Sequence, residues 1–271
     1  MKRPIVSDKP AAIAAPSSPK SHERKLAEAT EYIVDQITKQ FRNQALLALN
    51  VSTVDKFADA QTGNYASVFL KLANSVKRRL LKRFTNDRLT RLVKTIMQQV
   101  DKDARQKLYA QVEKHVGINV TQLVANEGLK SQTNALMLET VQWVKKIRDE
   151  TLEEYTNNTL HAMTEGKSLD QILEQYDGLA EKRKNHAVFT ARNQIQNYNA
   201  ITTKLRVQNL GITRAVWKTA HDERVRSSHA DRDGKEFDLS EGLYSSVDGK
   251  TLLPGIDFNC RCTATYIIPE S

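Results

Sequence analysis

The residues best suited to chemistry lie near the C-terminal end of the 271-residue chain. The only two cysteines stand two positions apart in the run NCRC, at residues 259–262. A segment rich in histidine, aspartate and arginine, HDERVRSSHADRDG, precedes them at residues 221–234. Thiolate sulfur and imidazole nitrogen are ligands that Zn²⁺ prefers, and carboxylates add oxygen ligands. This end of the chain could therefore form a metal site or an acid–base site.

The spacing of the cysteines gives a specific geometry. In an extended segment, Cys260 and Cys262 point to one side and Arg261 points to the other. A Cys-x-Cys pair closes poorly into a disulfide, so we expect free or metal-bound thiols and a reducing compartment. His229 offers the nearest nitrogen and Asp222 a carboxylate. Zinc held by Cys260, Cys262, His229 and Asp222 is one interpretation of the pattern.

A metal-free interpretation is also open, and the residues alone favour it. The Cys-x₂-Cys spacing of many zinc sites is absent. Two buried free cysteines in a tight β structure would explain the same run, with His229 and Asp222 hydrogen-bonded and Arg226 paired with a carboxylate. A structural zinc ion is the only cofactor that the pattern suggests.

An enzymatic role has less support in the sequence. His229 beside Asp222 and Asp233 could form an acid–base set, and a cysteine could act as a nucleophile with His229. However, the chain contains no glycine-rich phosphate loop, no H-E-x-x-H and no G-x-S-x-G. We therefore predict that the protein is not an enzyme. The alternative is a metal-dependent, nuclease-like enzyme built on the C-terminal domain.

The helices and strands that position these residues are preceded by a polar N-terminal segment. Residues 1–24 are rich in proline, alanine, serine and lysine, a composition that buries too little apolar surface to offset ordering. We predict a disordered basic arm there and a helical region over residues 25–178. No apolar run approaches the length of a membrane helix.

Helix signals are dense between residues 21 and 211. Apolar residues recur at spacings of three and four, which is typical of amphipathic helices. Caps and glycines give the boundaries. The expected start signals are Thr85 or Asn86 and Ser168, and the expected stops are Gly63-Asn64, Gly117, Gly166, Gly178 and Gly211.

After Gly211 the pattern changes to that of short strands. The run ITRAVWKT is β-branched and aromatic, and Asp233-Gly234 and Asp248-Gly249 are turn dipeptides. The run after residue 259 alternates, so one face should hold Cys260, Cys262, Ala264, Tyr266 and Ile268. The fold class predicted is α+β: a mainly helical body followed by a small β-rich end.

The net charge of +9 suggests a polyanionic partner. Residues 77–94 concentrate basic side chains beside the apolar stripe of a predicted helix. Such a stripe suits a phosphate backbone and would bind duplex DNA without reading its sequence. A solvated helix face, or a surface for an acidic protein, is the alternative. The candidate DNA-binding residues are Lys77, Arg78, Arg79, Lys82, Arg83, Arg88, Arg91 and Lys94.

The order of the C-terminal motifs is more specific than any single residue. ARNQ in a long helix is followed by WKTAHDERVRSSH, then DGKEF, LPG and NCRC. This series resembles the phage Mu F-like minor head protein family, also called phage head morphogenesis proteins. The resemblance covers roughly residues 180–268. The motif positions also include Trp217, Arg226, Asp233, Gly234 and Asn259.

The resemblance implies a structural role in the head of a tailed bacteriophage. It implies a Mu F-like domain at residues 179–271 and a portal- or capsid-interaction region at 25–178. The implied partners are the portal protein, the major capsid or scaffolding protein, and phage double-stranded DNA. The implied location is the interior of the virion head, after assembly in the host cytoplasm.

Overall fold

A computed structural model describes residues 5–7, 11–17, 20–50, 63–117 and 128–270 of the chain. The helices are α1 Lys20–Asn50, α2 Gly63–Arg83, α3 Asn86–Val116, α4 Lys130–Thr164, α5 Leu169–Asn209 and α6 Ser227–Arg232. The strands are β1 Ala11–Ala14, β2 Arg214–Lys218, β3 Glu236–Asp238, β4 Leu243–Ser245, β5 Lys250–Leu252 and β6 Thr263–Ile268. The α+β class predicted from the sequence is confirmed.

The strands form two antiparallel sheets. One has the order β1-β6-β2-β3, and the other is the hairpin β4-β5. Asp248-Gly249 forms the hairpin turn, where Gly249 has a φ of +65° that favours glycine. The predicted face of the C-terminal run is confirmed, because its five members are all at most 6% exposed. The two cysteines precede β6 rather than lying within it.

The N-terminal segment differs from the predicted disordered arm. β1 pairs with β6 along its whole length, with Ile13 opposite Tyr266. Ile13 is 1% exposed and Ile5 is 4% exposed, so both belong to the hydrophobic core. The prediction is therefore wrong for residues 5–7, 11–17 and 20–24, while residues 1–4, 8–10 and 18–19 lie outside the described residues. Local composition misses this strand because its stability comes from a partner strand far away in sequence.

Several helix boundaries follow the caps expected from the sequence. The hydroxyl of Thr85 accepts a hydrogen bond from the backbone N–H of Arg88, at 3.2 Å, and so caps α3. Gly117 follows the end of α3 with a φ of +70°, and Gly166 follows α4 with a φ of +69°. Ser168 accepts a weak hydrogen bond from the backbone of Gln171 at the start of α5, at 3.4 Å.

The break predicted at Gly178 is wrong, because α5 runs through it from Leu169 to Asn209. A glycine in a helix interior costs only about 1 kcal/mol relative to alanine. Tyr176 and Leu179, on either side, are buried at 1% and 6% exposure. Burial of these two side chains outweighs that cost, so one helix forms in place of the two expected.

The chain divides into two compact units whose segments alternate along the sequence. One unit comprises residues 24–93 and 139–191, and we call it the helical unit. The other comprises residues 1–23, 94–138 and 192–271, and we call it the sheet unit. Neither coincides with the predicted division at residue 178.

The helical unit buries aromatic rings together with their hydroxyl groups. Phe41, Tyr155 and Tyr176 form one cluster, with ring centroids 4.9 Å apart for the two tyrosines and 5.3 Å apart for Phe41 and Tyr155. The Tyr155 hydroxyl lies 2.6 Å from that of Thr38 and donates to the Tyr176 carbonyl at 3.1 Å. Burial raises the pKa of Tyr155 to about 12, so it stays a neutral hydrogen-bonding group.

Strands and helices both contribute buried side chains to the core of the sheet unit. Trp217 of β2, Tyr266 of β6 and Phe237 of β3 are at most 4% exposed. Leu108 of α3 and Val207 of α5 are fully buried in the same cluster. No helix in the described part of the chain is long and apolar enough to cross a membrane.

Candidate functional site

The site lies in the sheet unit, where α6 meets the turn before β6. α6 carries His229, which is 3% exposed. Asn259 turns the chain with a φ of +54°, which asparagine tolerates better than most residues. Its backbone N–H donates to the side-chain oxygen of Asn193 on α5, at 2.9 Å. This turn places Cys260 and Cys262 against the imidazole.

The three predicted soft ligands converge on one point. Nδ1 of His229 lies 3.5 Å from the Sγ of Cys260 and 3.5 Å from the Sγ of Cys262. The three ligand atoms all lie within 4.8 Å of one another, and all three residues are buried. Both cysteines have free thiols. We call these three residues the Cys-Cys-His cluster.

The other imidazole nitrogen sets the orientation of the ring. Nε2 of His229 lies 3.1 Å from Oδ2 of Asp257. A carboxylate is an acceptor, so Nε2 carries the proton and Nδ1 presents a lone pair to the two sulfurs. The indole ring of Trp217 packs edge-on against the imidazole, with centroids 5.7 Å apart. The imidazole is thus held in one tautomer and one rotamer.

The two thiols differ in acidity. A hydrogen bond from the Cys262 thiol lowers the pKa of Cys260 to about 6, although burial opposes the shift. Donating that hydrogen bond, together with burial, raises the pKa of Cys262. Cys260 is therefore the more readily ionised of the two thiols.

Asp222, the predicted fourth ligand, is not in this cluster. Its carboxylate pairs with both terminal nitrogens of the Arg261 guanidinium, one of them at 2.6 Å. This ion pair lowers the pKa of Asp222. Arg261 is exposed while both cysteines are buried, and its ion pair keeps Asp222 outside the cluster.

The sequence reasoning missed Asp257, which holds the imidazole in place of Asp222. Its carboxylate also pairs with Nη1 of Arg226 and accepts the backbone N–H of Phe258, at 2.8 Å. Arg226 further donates to the carbonyl of Phe258 at 2.7 Å. The expectation that Arg226 pairs with a carboxylate is confirmed. The signal for Asp257 was its place three residues before Cys260, after the turn at Pro254-Gly255.

Arg232 is a second missed residue, and its side chain is fully buried. It donates to Asp248 at 2.9 Å and to the carbonyls of Leu243 at 2.9 Å and Lys250 at 2.6 Å. Its guanidinium carbon also lies 5.5 Å from the ring centroid of Trp217. Arg232 thereby ties the β4-β5 hairpin to α6 and β2.

The remaining motif residues act through the backbone. Asp233 accepts a hydrogen bond from the N–H of Thr219, at 2.8 Å. The N–H of Gly234 donates to the carbonyl of Trp217 at 2.9 Å, in a turn where Gly234 has a φ of +73°. These contacts fix the start of β3 against the end of β2.

A cavity of about 150 Å³ opens beside the Cys-Cys-His cluster. Its lining combines the cluster with four arginines, Arg192, Arg224, Arg226 and Arg261. Three of these pair with acids: Arg226 with Asp257, Arg261 with Asp222, and Arg192 with Glu23. The combination of soft metal ligands and cationic walls suits a metal ion with an additional small anionic or neutral ligand.

The candidate DNA-binding residues lie on α2 and α3, and they are not equivalent. Arg83 donates to Gln36 at 2.8 Å and to the hydroxyl of Tyr32 at 2.5 Å, and Arg88 donates to the carbonyl of Arg83 at 3.1 Å. Arg91 is exposed, and Lys94 is half-buried and belongs to the sheet unit.

Four of the eight form a continuous exposed group on α2, and we call them the α2 basic group: Lys77, Arg78, Arg79 and Lys82. Within the described ranges, none of the four has an ion-pair partner.

Comparison with known proteins gives one family match. Residues 153–265 match the model of the family described as Phage Mu protein F like protein. The match confirms the resemblance drawn from the C-terminal motifs, and it contains every member of the Cys-Cys-His cluster. It begins in α4, upstream of the predicted domain start at residue 179.

Two curated relatives are similar to the chain. An uncharacterised protein of Haemophilus influenzae is 28% identical over 252 residues, covering 91% of this chain and 55% of that protein. A protein of Enterococcus faecalis named NAD(+)–arginine ADP-ribosyltransferase EFV is 30% identical over 132 residues, covering 45% of this chain and 27% of that protein. The chain thus spans about half the length of the first relative and less of the second. No solved structure matches.

Proposed function

We propose that this chain, with its Mu F-like segment at residues 153–265, is a structural minor head protein of a tailed bacteriophage that acts in head morphogenesis. The observation that carries the proposal is the family match, because it coincides with the site into which the C-terminal motifs fold. The proposed partners are the portal protein and the major capsid or scaffolding protein. The proposed location is the interior of the head, after assembly in the host cytoplasm.

Quantitative mass spectrometry of purified procapsids and virions tests this role. We expect the protein in both particles at low copy number, and much less of it in procapsids assembled without the portal protein. Equal incorporation with and without portal would reject the portal as the partner, and the proposed role as a head protein would stand. Absence from both particles would reject the head role itself.

The proposed role includes sequence-independent contact with the packaged genome. The α2 basic group supports this contact, because these four exposed cations form no ion pair with any residue that the structure describes and are available to phosphates. Each phosphate contact should contribute a slope of about −0.9 in the dependence of log affinity on log salt concentration. Glutamate at all four positions should therefore flatten the slope by up to about 3.6.

A matched variant separates local contact from net charge. Replacing Lys102, Arg105, Lys107 and Lys114 of α3 with glutamate lowers the net charge by the same amount on other exposed positions. We expect this variant to keep more of the salt slope than the α2 variant. Equal slopes for the two variants would assign the effect to overall charge rather than to the α2 basic group.

A metal-dependent nuclease is the second candidate function. The cavity beside the Cys-Cys-His cluster favours it, since its arginine-rich walls could receive a phosphodiester. Incubation of the purified protein with duplex DNA and Mg²⁺ or Zn²⁺ tests this alternative. Degradation that disappears in a His229→Gln variant would favour the enzyme, and intact DNA would favour the structural role.

The transferase activity in the name of the Enterococcus relative is not carried over, because the match covers only 27% of that protein.

A further inference from the structure

We propose that the Cys-Cys-His cluster binds one Zn²⁺ through both sulfurs and Nδ1 of His229, with the fourth coordination position directed to the adjoining cavity. The proposal is independent of the head role. It assigns a metal site with an exchangeable ligand, which differs from the closed four-ligand site that the sequence suggested with Asp222.

The spacing of the donor atoms fits tetrahedral zinc. Bond lengths of about 2.3 Å to sulfur and about 2.0–2.1 Å to nitrogen place the two kinds of ligand atom about 3.6 Å apart. Nδ1 of His229 lies 3.5 Å from each of the two sulfurs. The two nitrogen-to-sulfur separations therefore match those of tetrahedral zinc, and the two sulfurs lie within 4.8 Å of each other.

The second nitrogen of the imidazole supports the same conclusion. Metal-binding histidines commonly donate their other N–H to a carboxylate, which fixes the tautomer and increases the basicity of the ligand nitrogen. Asp257 accepts from Nε2 at 3.1 Å and is itself held by Arg226 and by the N–H of Phe258. This chain of contacts aims the Nδ1 lone pair at the sulfurs.

The ligand types select the metal. Two thiolates and one imidazole suit Zn²⁺, whereas Mg²⁺ and Ca²⁺ prefer oxygen ligands. All three residues are at most 6% exposed, which disfavours a role for either cysteine as a nucleophile toward a large substrate. A disulfide between the cysteines would consume both sulfurs, and the Cys-x-Cys spacing makes its geometry strained.

The fourth position is what sets this site apart from a closed structural one. Among the described residues, the candidate metal group contains three members and no fourth histidine, cysteine or carboxylate. All three cluster residues line the adjoining cavity, together with Arg192 and Arg224. A water molecule or a small anion can therefore complete the coordination, and the arginines favour the anion.

Metal analysis of the full chain, purified with a tag other than polyhistidine and without chelator, tests the site. We expect about one zinc per chain, and loss of that zinc in Cys260→Ser, Cys262→Ser and His229→Gln variants. Because these variants could fail to fold, cobalt substitution of the wild-type chain supplies a second readout. Cobalt should show sulfur-to-metal charge-transfer absorption and the visible bands of a tetrahedral ion. Those bands should shift when thiocyanate is added, if the fourth ligand exchanges.

Two conservative variants sharpen the ligand assignment. Asp257→Asn keeps all three ligands and should weaken zinc affinity about 10- to 100-fold in a chelator competition, as loss of an outer carboxylate does elsewhere. Asp222→Asn should leave the affinity unchanged, because Asp222 pairs with Arg261 instead. Loss of zinc in Asp222→Asn would overturn the ligand set. A folded wild-type chain with little zinc and no cobalt spectrum would overturn the site, and the head role would stand.

Discussion

In the helical unit several buried threonines satisfy their hydroxyl groups within their own helix. Thr30, Thr151 and Thr159 each donate to the carbonyl four residues earlier, at 2.8, 2.6 and 2.6 Å. In the sheet unit two buried polar side chains of α6 find partners far along the chain. His229 contacts residues that lie 28 to 33 positions later, and Arg232 donates hydrogen bonds to Asp248 and to the backbone of the β4-β5 hairpin.

This difference determines which interactions stabilise each unit. Local hydrogen bonds form with the helix, so the helical unit gains its stability from apolar packing along long stripes. Short strands bury little surface, so the sheet unit depends more on each long-range polar contact. We therefore expect loss of one buried polar partner to be costly in the sheet unit and mild in the helical unit.

The largest effect is expected from Arg232→Met in the sheet unit. The variant removes the Arg232 donor from the carbonyls of Leu243 and Lys250, while Asp248 keeps its hydrogen bond from the N–H of Lys250. Leaving the buried hydrogen-bond partners of a side chain unsatisfied costs about 1–3 kcal/mol of unfolding free energy. Urea unfolding followed by tryptophan fluorescence measures the change.

Lys235→Met is the control for that variant, because it breaks an exposed pair with Asp231 on the same part of the chain. An exposed pair contributes about 0–1 kcal/mol. Similar losses in the two variants would mean that the buried hydrogen-bond network contributes no more to stability than the exposed ion pair does.

A smaller effect is expected from Tyr155→Phe in the helical unit. The variant removes the hydroxyl that contacts Thr38 and Tyr176, while the ring and its packing on Phe41 remain. Loss of a buried hydrogen bond costs about 1 kcal/mol. Tyr244→Phe, at a position that is 59% exposed, is the control and should be neutral. A cost in Tyr155→Phe as large as in Arg232→Met would remove the distinction between the units.

The smallest expected effect is a decrease of folding stability at acidic pH. The hydrogen bond from Arg232 lowers the pKa of Asp248 to about 2, below its usual value near 4. Between about pH 4 and pH 2 the unfolded state therefore binds more protons than the folded state, so stability falls as the pH falls. The Asp248→Asn variant should lose this part of the pH dependence. Parallel stability curves for wild type and variant over that range would show that the carboxylate contributes nothing.

Regular elements with a local cause were predictable from the sequence. The alternation from Cys260 to Ile268 gave the buried face of β6, and Thr85 and Gly117 marked the ends of α3. Contacts that depend on distant partners were not predictable. β1 needs β6, which lies about 250 residues later, and nothing within residues 11–14 signals that pairing.

The candidate site shows the same limit. Residue types pointed to Cys260, Cys262 and His229, and the structure places them together. The pattern could not choose between Asp222 and Asp257, because both are acids near a motif arginine. That choice depends on which side of the turn Arg261 occupies, and the folded turn at Asn259 determines it.

Hydrogen exchange measured by mass spectrometry tests whether the Cys-Cys-His cluster, with the zinc proposed for it, stabilises the sheet unit. The full chain is compared with zinc bound and after treatment with a chelator. Peptides from residues 212–268 should lose protection without zinc, while peptides from residues 139–164 of the helical unit should keep theirs. Unchanged protection in residues 212–268, or an equal loss in both regions, would contradict this stabilising role.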